Sequence, residues 1–143
     1  MTHFKMIAEQ NFKNLCNLTT SLVGLRKGSL SYRSRKSEYQ IPRSVVSVIS
    51  RIVDETKREI IAKELKRDRS LIYHYEKMHK SNYRSFPKYR EIFNLVFNAY
   101  SNIQDSKRIF TDLNHLKQYL KDKGVESSNK HQTIIRITSG KVE

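Results

Sequence analysis

Apolar residues recur every three or four positions along most of this chain, and little interrupts them. The 143 residues include only four glycines and two prolines. Glycine and proline are the strongest helix breakers, and an apolar spacing of three to four residues marks one face of an α-helix. The pattern therefore predicts an all-α fold, a small helical bundle.

The same spacing divides the chain into segments. The predicted helices are residues 3–17, 42–54, 56–65, 68–82, 87–103 and 106–122. We expect Pro42 and Pro87 to open their helices, because proline suits the first helical turn. Residues 24–40 are basic and rich in Ser and Gly, and they predict a loop with one short helical turn around Leu30. The polar end, 124–143, predicts a flexible tail, although its apolar hexamer TIIRIT also suits an edge strand or a strand that docks on a partner.

Two parts follow from this division. Residues 1–103 form one predicted domain, and residues 104–143 a C-terminal helical extension with the tail. In the helix at 106–122, alternating charges surround an apolar stripe. That stripe fits a helix packed on the bundle, or a surface for a protein partner or self-association.

Charge narrows the class of partner. The formal net charge is +14, and 18 basic and 7 acidic residues between Arg26 and Arg90 contribute +11 of it. Such a concentration suits a polyanion. No apolar run reaches the about 18 residues that a membrane span needs, and the first residues lack the apolar core of a signal peptide. We therefore expect a cytoplasmic, nucleoid-associated protein that binds nucleic acid and not a membrane.

The strongest motif is a pair of helices separated by the three residues KRD at 66–68. This is the spacing of a helix-turn-helix, whose second helix enters the major groove of DNA. Asp68 is placed to cap that second helix. Its apolar face predicts the inward side, and the outward side holds the candidate DNA-binding residues Arg69, Ser70, Tyr73, His74 and Lys77, with Lys66, Arg67 and Asp68 just ahead.

The sequence contains few signatures of a catalytic, metal or cofactor site. No Cys and His spacing suits zinc, and the acidic residues are scattered among Lys and Arg instead of clustering around a magnesium ion. The lone Cys16 sits in an apolar pattern and predicts a buried small hydrophobe. The segment VGLRKGSL lacks the glycine and lysine spacing of a nucleotide-binding P-loop. We predict no catalytic residues, no metal and no cofactor.

Two segments resemble a known family. RSRKSEYQIPR at 33–43 and IAKELKRDRSLIYH at 61–74 resemble the C-terminal DNA-binding domain of the bacterial chromosomal replication initiator DnaA. A basic loop of the form S-R-x7-R is matched by Ser34, Arg35 and Arg43. The resemblance covers about residues 12–100 in weak form and is specific over these two segments.

The resemblance implies a Trp-repressor-like helical domain that binds duplex DNA in replication initiation, its regulation or transcription control. It implies base or phosphate contacts from the turn and the start of the second helix, with Arg35 in the minor groove. Arg43 and Lys36 would hold phosphates, and Arg33 belongs to the same basic loop. The family motif has a glycine, a histidine and a threonine where this chain has Lys66, Arg69 and Leu71. The resemblance therefore does not predict which DNA sequence this protein would recognise. The ATPase domain of the initiator has no counterpart.

Two alternatives remain open at this level. A basic RNA-binding protein would use the same charge on structured or single-stranded RNA. A replication-associated interaction adaptor would dock a partner through 104–143, with the basic surface assisting.

Overall fold

The computed structural model describes the backbone of residues 2–122 and the side chains of residues 3–107, 117 and 118. The described residues contain no strand and form five α-helices with one short 3-10 turn. The helices are α1 (Thr2–Val23), α2 (Ser37–Val53), α3 (Arg58–Leu65), α4 (Arg69–Ser85) and α5 (Pro87–Asp122), and the 3-10 turn is Ser29–Ser31. The predicted all-α class is confirmed. The predicted tail at 124–143 lies outside the described residues.

The chain divides into two compact units, of which the first ends at Tyr100 and the second begins at Ser101. The boundary expected from the sequence lay at 103/104. A break between two helices was also expected there, but α5 runs unbroken from Pro87 to Asp122. No glycine or proline lies between Asn102 and Ser106 to end the helix. The side chains of the apolar stripe predicted between 109 and 120 lie outside the described residues.

Helix α2 is the centre of the first unit. Every residue from Ile41 to Ser50 is buried, because α1 and α4 both pack on α2. The hydrophobic core around α2 contains Phe12, Leu15, Leu30, Ile41, Val45, Val46, Val48, Ile49, Ile61, Ala62, Leu65, Ile72, Tyr75, Tyr89, Ile92, Phe93, Val96 and Tyr100.

Helix α2 begins earlier than predicted. The Lys36 carbonyl accepts hydrogen bonds from the backbone N–H groups of Tyr39 and Gln40, both 3.0 Å, and so starts the helix at Ser37. Pro42 therefore lies inside α2 and does not open it. Because proline has no N–H, one helical hydrogen bond is missing at this point. Pro87, in contrast, opens α5 as expected.

Helix α1 extends through a polar, β-branched segment that was expected to end it. The Thr19 hydroxyl donates to the Leu15 carbonyl at 2.8 Å, which satisfies a buried polar side chain within the helix. At the other end of α1, Phe4 is 79% exposed. The core-facing stripe of α1 is fully buried only from Phe12 onward.

An aromatic cluster joins α4 to α5. His79 Nδ1 lies 2.8 Å from the Tyr89 hydroxyl, and its ring centroid is 4.6 Å from that of Phe93. Burial lowers the pKa of His79 and raises the pKa of Tyr89 to about 12, so both side chains are neutral near pH 7. The cluster stabilises the packing of the two helices and explains why His79 belongs to the inward face of α4.

Candidate functional site

Arg43 is the largest departure from the site predicted by the sequence. Its side chain is 1% exposed. The guanidinium Nε donates to the Leu30 carbonyl at 2.6 Å, one terminal nitrogen donates to the Ser34 carbonyl at 2.7 Å, and the other donates to the Tyr32 carbonyl. Burial lowers the pKa of Arg43, and the neighbouring charge of Arg67 lowers it further. The prediction that Arg43 holds a phosphate is therefore wrong.

Arg43 instead holds the basic loop in place. We define the basic loop as residues 26–36, which connect the region after α1 to the start of α2. Three of its carbonyl groups converge on one guanidinium, whose five N–H donors in a rigid plane suit such an arrangement. The loop is thus braced from below by a side chain of α2, while Arg33, Arg35 and Lys36 are exposed.

The turn between α3 and α4 is closed by backbone geometry. Lys66 adopts the left-handed conformation, with φ 54° and ψ 48°, and ends α3. The Arg67 N–H donates to the Ala62 carbonyl at 2.9 Å, which satisfies one of the free carbonyl groups at the helix end. Asp68 then caps α4 by accepting from the Ser70 N–H at 3.2 Å. The predicted cap at Asp68 is confirmed.

The outward side of α4 carries the side chains that the sequence placed there. Ile72 and Tyr75 are buried, whereas the outward residues are exposed: Arg69, Ser70, Tyr73, His74 and Lys77. This division follows from the helical period of about 3.6 residues. Lys66 and Asp68, in the turn ahead of α4, are exposed as well.

Two of the outward residues have neighbours that sequence reasoning missed. Arg69 forms an ion pair of 2.9 Å with Glu59 of α3, and the hydrogen bond from Arg69 lowers the pKa of Glu59. The Arg58 guanidinium lies 4.0 Å from the centre of the Tyr73 ring, a cation–π contact. Both partners come from α3, which packs against α4, so only tertiary structure brings them together.

Glu76 fixes α4 to the two helices beneath it. Its carboxylate accepts from Arg51 Nε of α2 at 3.2 Å and from Arg58 of α3 at 2.6 Å and 3.1 Å. Burial alone would raise the pKa of Glu76, but the hydrogen bonds from Arg58 and Arg51 outweigh it and lower the pKa. The one acidic residue in the middle of α4 therefore forms ion pairs within the protein, and these pairs hold α4 against α2 and α3.

The basic loop and the turn ahead of α4 are joined at one atom. The Tyr32 carbonyl accepts from Arg43 and also from Arg67. Arg67 further donates to the carbonyls of Leu65 and Lys66 at 3.2 Å and 3.0 Å. Arg67 is thus folded back over the turn and only half-buried. This contact places the loop beside the start of α4.

A groove separates the basic loop from α4. Its volume is about 750 Å³. Five cationic or titratable side chains predicted as site residues line it, namely Arg33, Arg35, the buried Arg43, Arg67 and His74. The apolar part of the lining includes Leu71, Met78 and Phe86. Sequence reasoning missed the groove, because its two walls are some 35 residues apart in the chain.

The remaining predicted residues lie elsewhere. Lys36 stands at the start of α2, where its backbone N–H donates to the Ser34 hydroxyl at 3.2 Å. Lys77 points outward from α4, and neither lysine lines the groove. A second cavity of about 420 Å³ contains Lys13, Cys16 and Lys27. Burial raises the pKa of Cys16, so its thiol stays protonated and unreactive.

Among the side chains that the structure describes, no three His, Cys, Asp or Glu residues gather as a metal ion would require. None of the helices within residues 2–122 combines the length and apolar composition of a membrane span. Comparison with protein-family models, with curated proteins and with solved structures found no match to this chain.

Proposed function

We propose that this protein binds double-stranded DNA and reads its sequence through α4, with α3 and α4 acting as a helix-turn-helix. The resemblance to the C-terminal domain of DnaA further suggests a role in replication initiation, its regulation or transcription control. In this proposal the protein is a binding module without catalytic activity.

One observation carries the proposal: the basic loop and the start of α4 border the same groove. Arg33 and Arg35 come from the loop, Arg67 from the turn and His74 from α4. The charges of the three arginines therefore act on one side of the first unit, where a polyanion can meet them together. The Tyr32 carbonyl, which accepts from both Arg43 and Arg67, holds the basic loop next to the turn ahead of α4. The cations of the two elements are therefore kept close together by the fold.

The geometry suits two adjoining DNA grooves. The exposed Ser70 hydroxyl at the start of α4 can reach phosphates or bases, and Arg69 can pair with guanine in the major groove. Arg35 on the braced loop would reach the neighbouring minor groove, whose narrow A·T-rich stretches attract arginine. Arg69 has to leave Glu59 to do so, and this exposed ion pair contributes little stability.

Fluorescence anisotropy with duplexes selected from a random pool tests the proposal. We expect Arg69→Ala to weaken the preferred duplex by about 1–3 kcal/mol and to relax base preference, because one bidentate base contact is lost. The double variant Arg33→Ala/Arg35→Ala should weaken binding to all duplexes.

The matched control is Lys5→Ala/Lys13→Ala, which removes the same charge from exposed positions of α1, outside the basic loop and α4. Equal losses in both double variants would mean that only net charge matters and would contradict the assigned surface. Structured RNA competing better than the selected duplex at equal salt would favour an RNA-binding protein instead.

A further inference from the structure

The groove between the basic loop and α4 has a chemistry that duplex binding alone does not require. Duplex recognition needs only the cations at its rim. The lining continues along α4 from Leu71 past Met78 and Asn82 to Phe86. At 1.5 Å per residue these positions span about 20 Å. The groove is thus cationic where it meets the loop and becomes apolar and aromatic along the helix.

The apolar part of the groove is accessible. Phe86 lies at the end of α4 and is 42% exposed, and Met78 is half-buried beside the buried rings of Tyr75 and Tyr89. An accessible aromatic ring next to a cationic rim is the combination by which proteins hold unpaired nucleotides. The cations follow the phosphates, and the bases stack on aromatic and apolar side chains.

Polar groups in the groove suit base edges. Ser44 lines the groove, but its hydroxyl is buried beside the Tyr89 hydroxyl and is not accessible to a ligand. Its neighbour Tyr89 is already paired with His79. The amides of Gln40 and Asn82 also line the groove. An amide side chain carries both hydrogen-bond donors and an acceptor, which suits the edges of unpaired bases.

We propose that this groove receives unpaired nucleotides, so that the protein binds DNA with an unpaired stretch beside a duplex more tightly than an unbroken duplex. This inference rests on the proposed DNA-binding function and assigns the neighbouring groove to it. The volume of about 750 Å³ falls within the usual range of 300–1,000 Å³ for ligand sites and leaves room for one or two nucleotides.

The test uses the full chain and two DNAs with the same duplex sequence. One is unbroken, and the other carries three unpaired nucleotides that include the fluorescent base 2-aminopurine. We expect tighter binding to the second DNA and quenching of 2-aminopurine emission by stacking. Phe86→Ala should lower the preference for the unpaired DNA about tenfold and restore emission. Phe86→Tyr, which keeps the ring, should retain both.

Leu95→Ala is the matched control, because Leu95 is an equally exposed apolar residue outside the groove. Duplex affinity reports on the proposed function, whereas the preference and the emission report on the groove. Equal affinity for both DNAs with unchanged emission would overturn the inference. A second result would also overturn it: if a peptide rich in Glu and Leu binds the wild-type protein and Phe86→Ala abolishes that binding, the groove belongs to a protein partner.

Discussion

At the scale of single residues, exposure decides which basic side chains can meet a partner. Arg35 and Arg43 occupy equivalent-looking places in a basic sequence, but Arg43 is buried and donates to three backbone carbonyls. Arg35 remains exposed at the edge of the groove. Arg43 stabilises the loop from inside, whereas Arg35 extends from the loop into solvent. The residue type is the same, so only the tertiary structure distinguishes the two roles.

We therefore expect Arg43→Lys to destabilise the fold by about 3 kcal/mol, because an ammonium group cannot satisfy three divergent carbonyls and leaves buried acceptors without partners. Arg35→Lys should change the free energy of unfolding by less than about 0.5 kcal/mol. Urea denaturation of both variants provides the measurement. Wild-type stability for Arg43→Lys would show that the guanidinium is not what braces the loop.

At the scale of elements, the turn ahead of α4 is closed by an unfavourable residue. Lys66 has a left-handed backbone, which costs a residue with a Cβ about 1–2 kcal/mol relative to glycine. The two backbone hydrogen bonds of the turn and the Asp68 cap offset this cost. A lysine at this position keeps positive charge beside Arg67 at the expense of stability.

Lys66→Gly should therefore raise the free energy of unfolding by about 1 kcal/mol, since relief of the left-handed strain exceeds the added flexibility of the unfolded chain. Lys66→Ala removes the same charge but keeps the Cβ, and it should give no such gain. Denaturation midpoints of the two variants separate strain from charge. A gain of equal size in both would attribute the effect to charge repulsion instead.

At the scale of the whole molecule, the excess of positive charge lies in the part of the chain that forms α2, α3, α4 and the basic loop. Of the net +14, +11 falls between Arg26 and Arg90. Several of these charges are already engaged within the protein: Arg43 is buried, and the partly exposed Arg51 and Arg58 pair with Glu76. The number of cations that face solvent is thus smaller than the sequence suggests.

Binding to a duplex should accordingly depend on salt with a moderate slope. If about six phosphates are neutralised, the logarithm of the association constant should fall against the logarithm of salt concentration with a slope near −5. Anisotropy titrations between 50 and 200 mM salt would measure it, at values set by the same principle. A slope near −1 would be incompatible with a polyanion lying across the basic loop and α4.

Much of the fold follows from local rules and could be predicted from the sequence. The inward positions Ile72 and Tyr75 and the cap at Asp68 follow from helical periodicity and from backbone groups left free at helix ends. These depend on residues within one or two turns of each other, where spacing along the chain equals spacing in the structure.

The conformation of the basic loop depends instead on contacts between residues that are far apart in the sequence. Leu30 and Arg43 are 13 residues apart, Tyr32 and Arg67 are 35, and the groove between loop and helix exists only once α2 has packed under α4. Which arginine is buried, which acid is used internally and where an accessible aromatic ring lies are set by packing between distant segments. The sequence alone determined the helices and their inward faces; the tertiary structure decided which charges remain available to a partner, because burial is a property of contacts and not of composition.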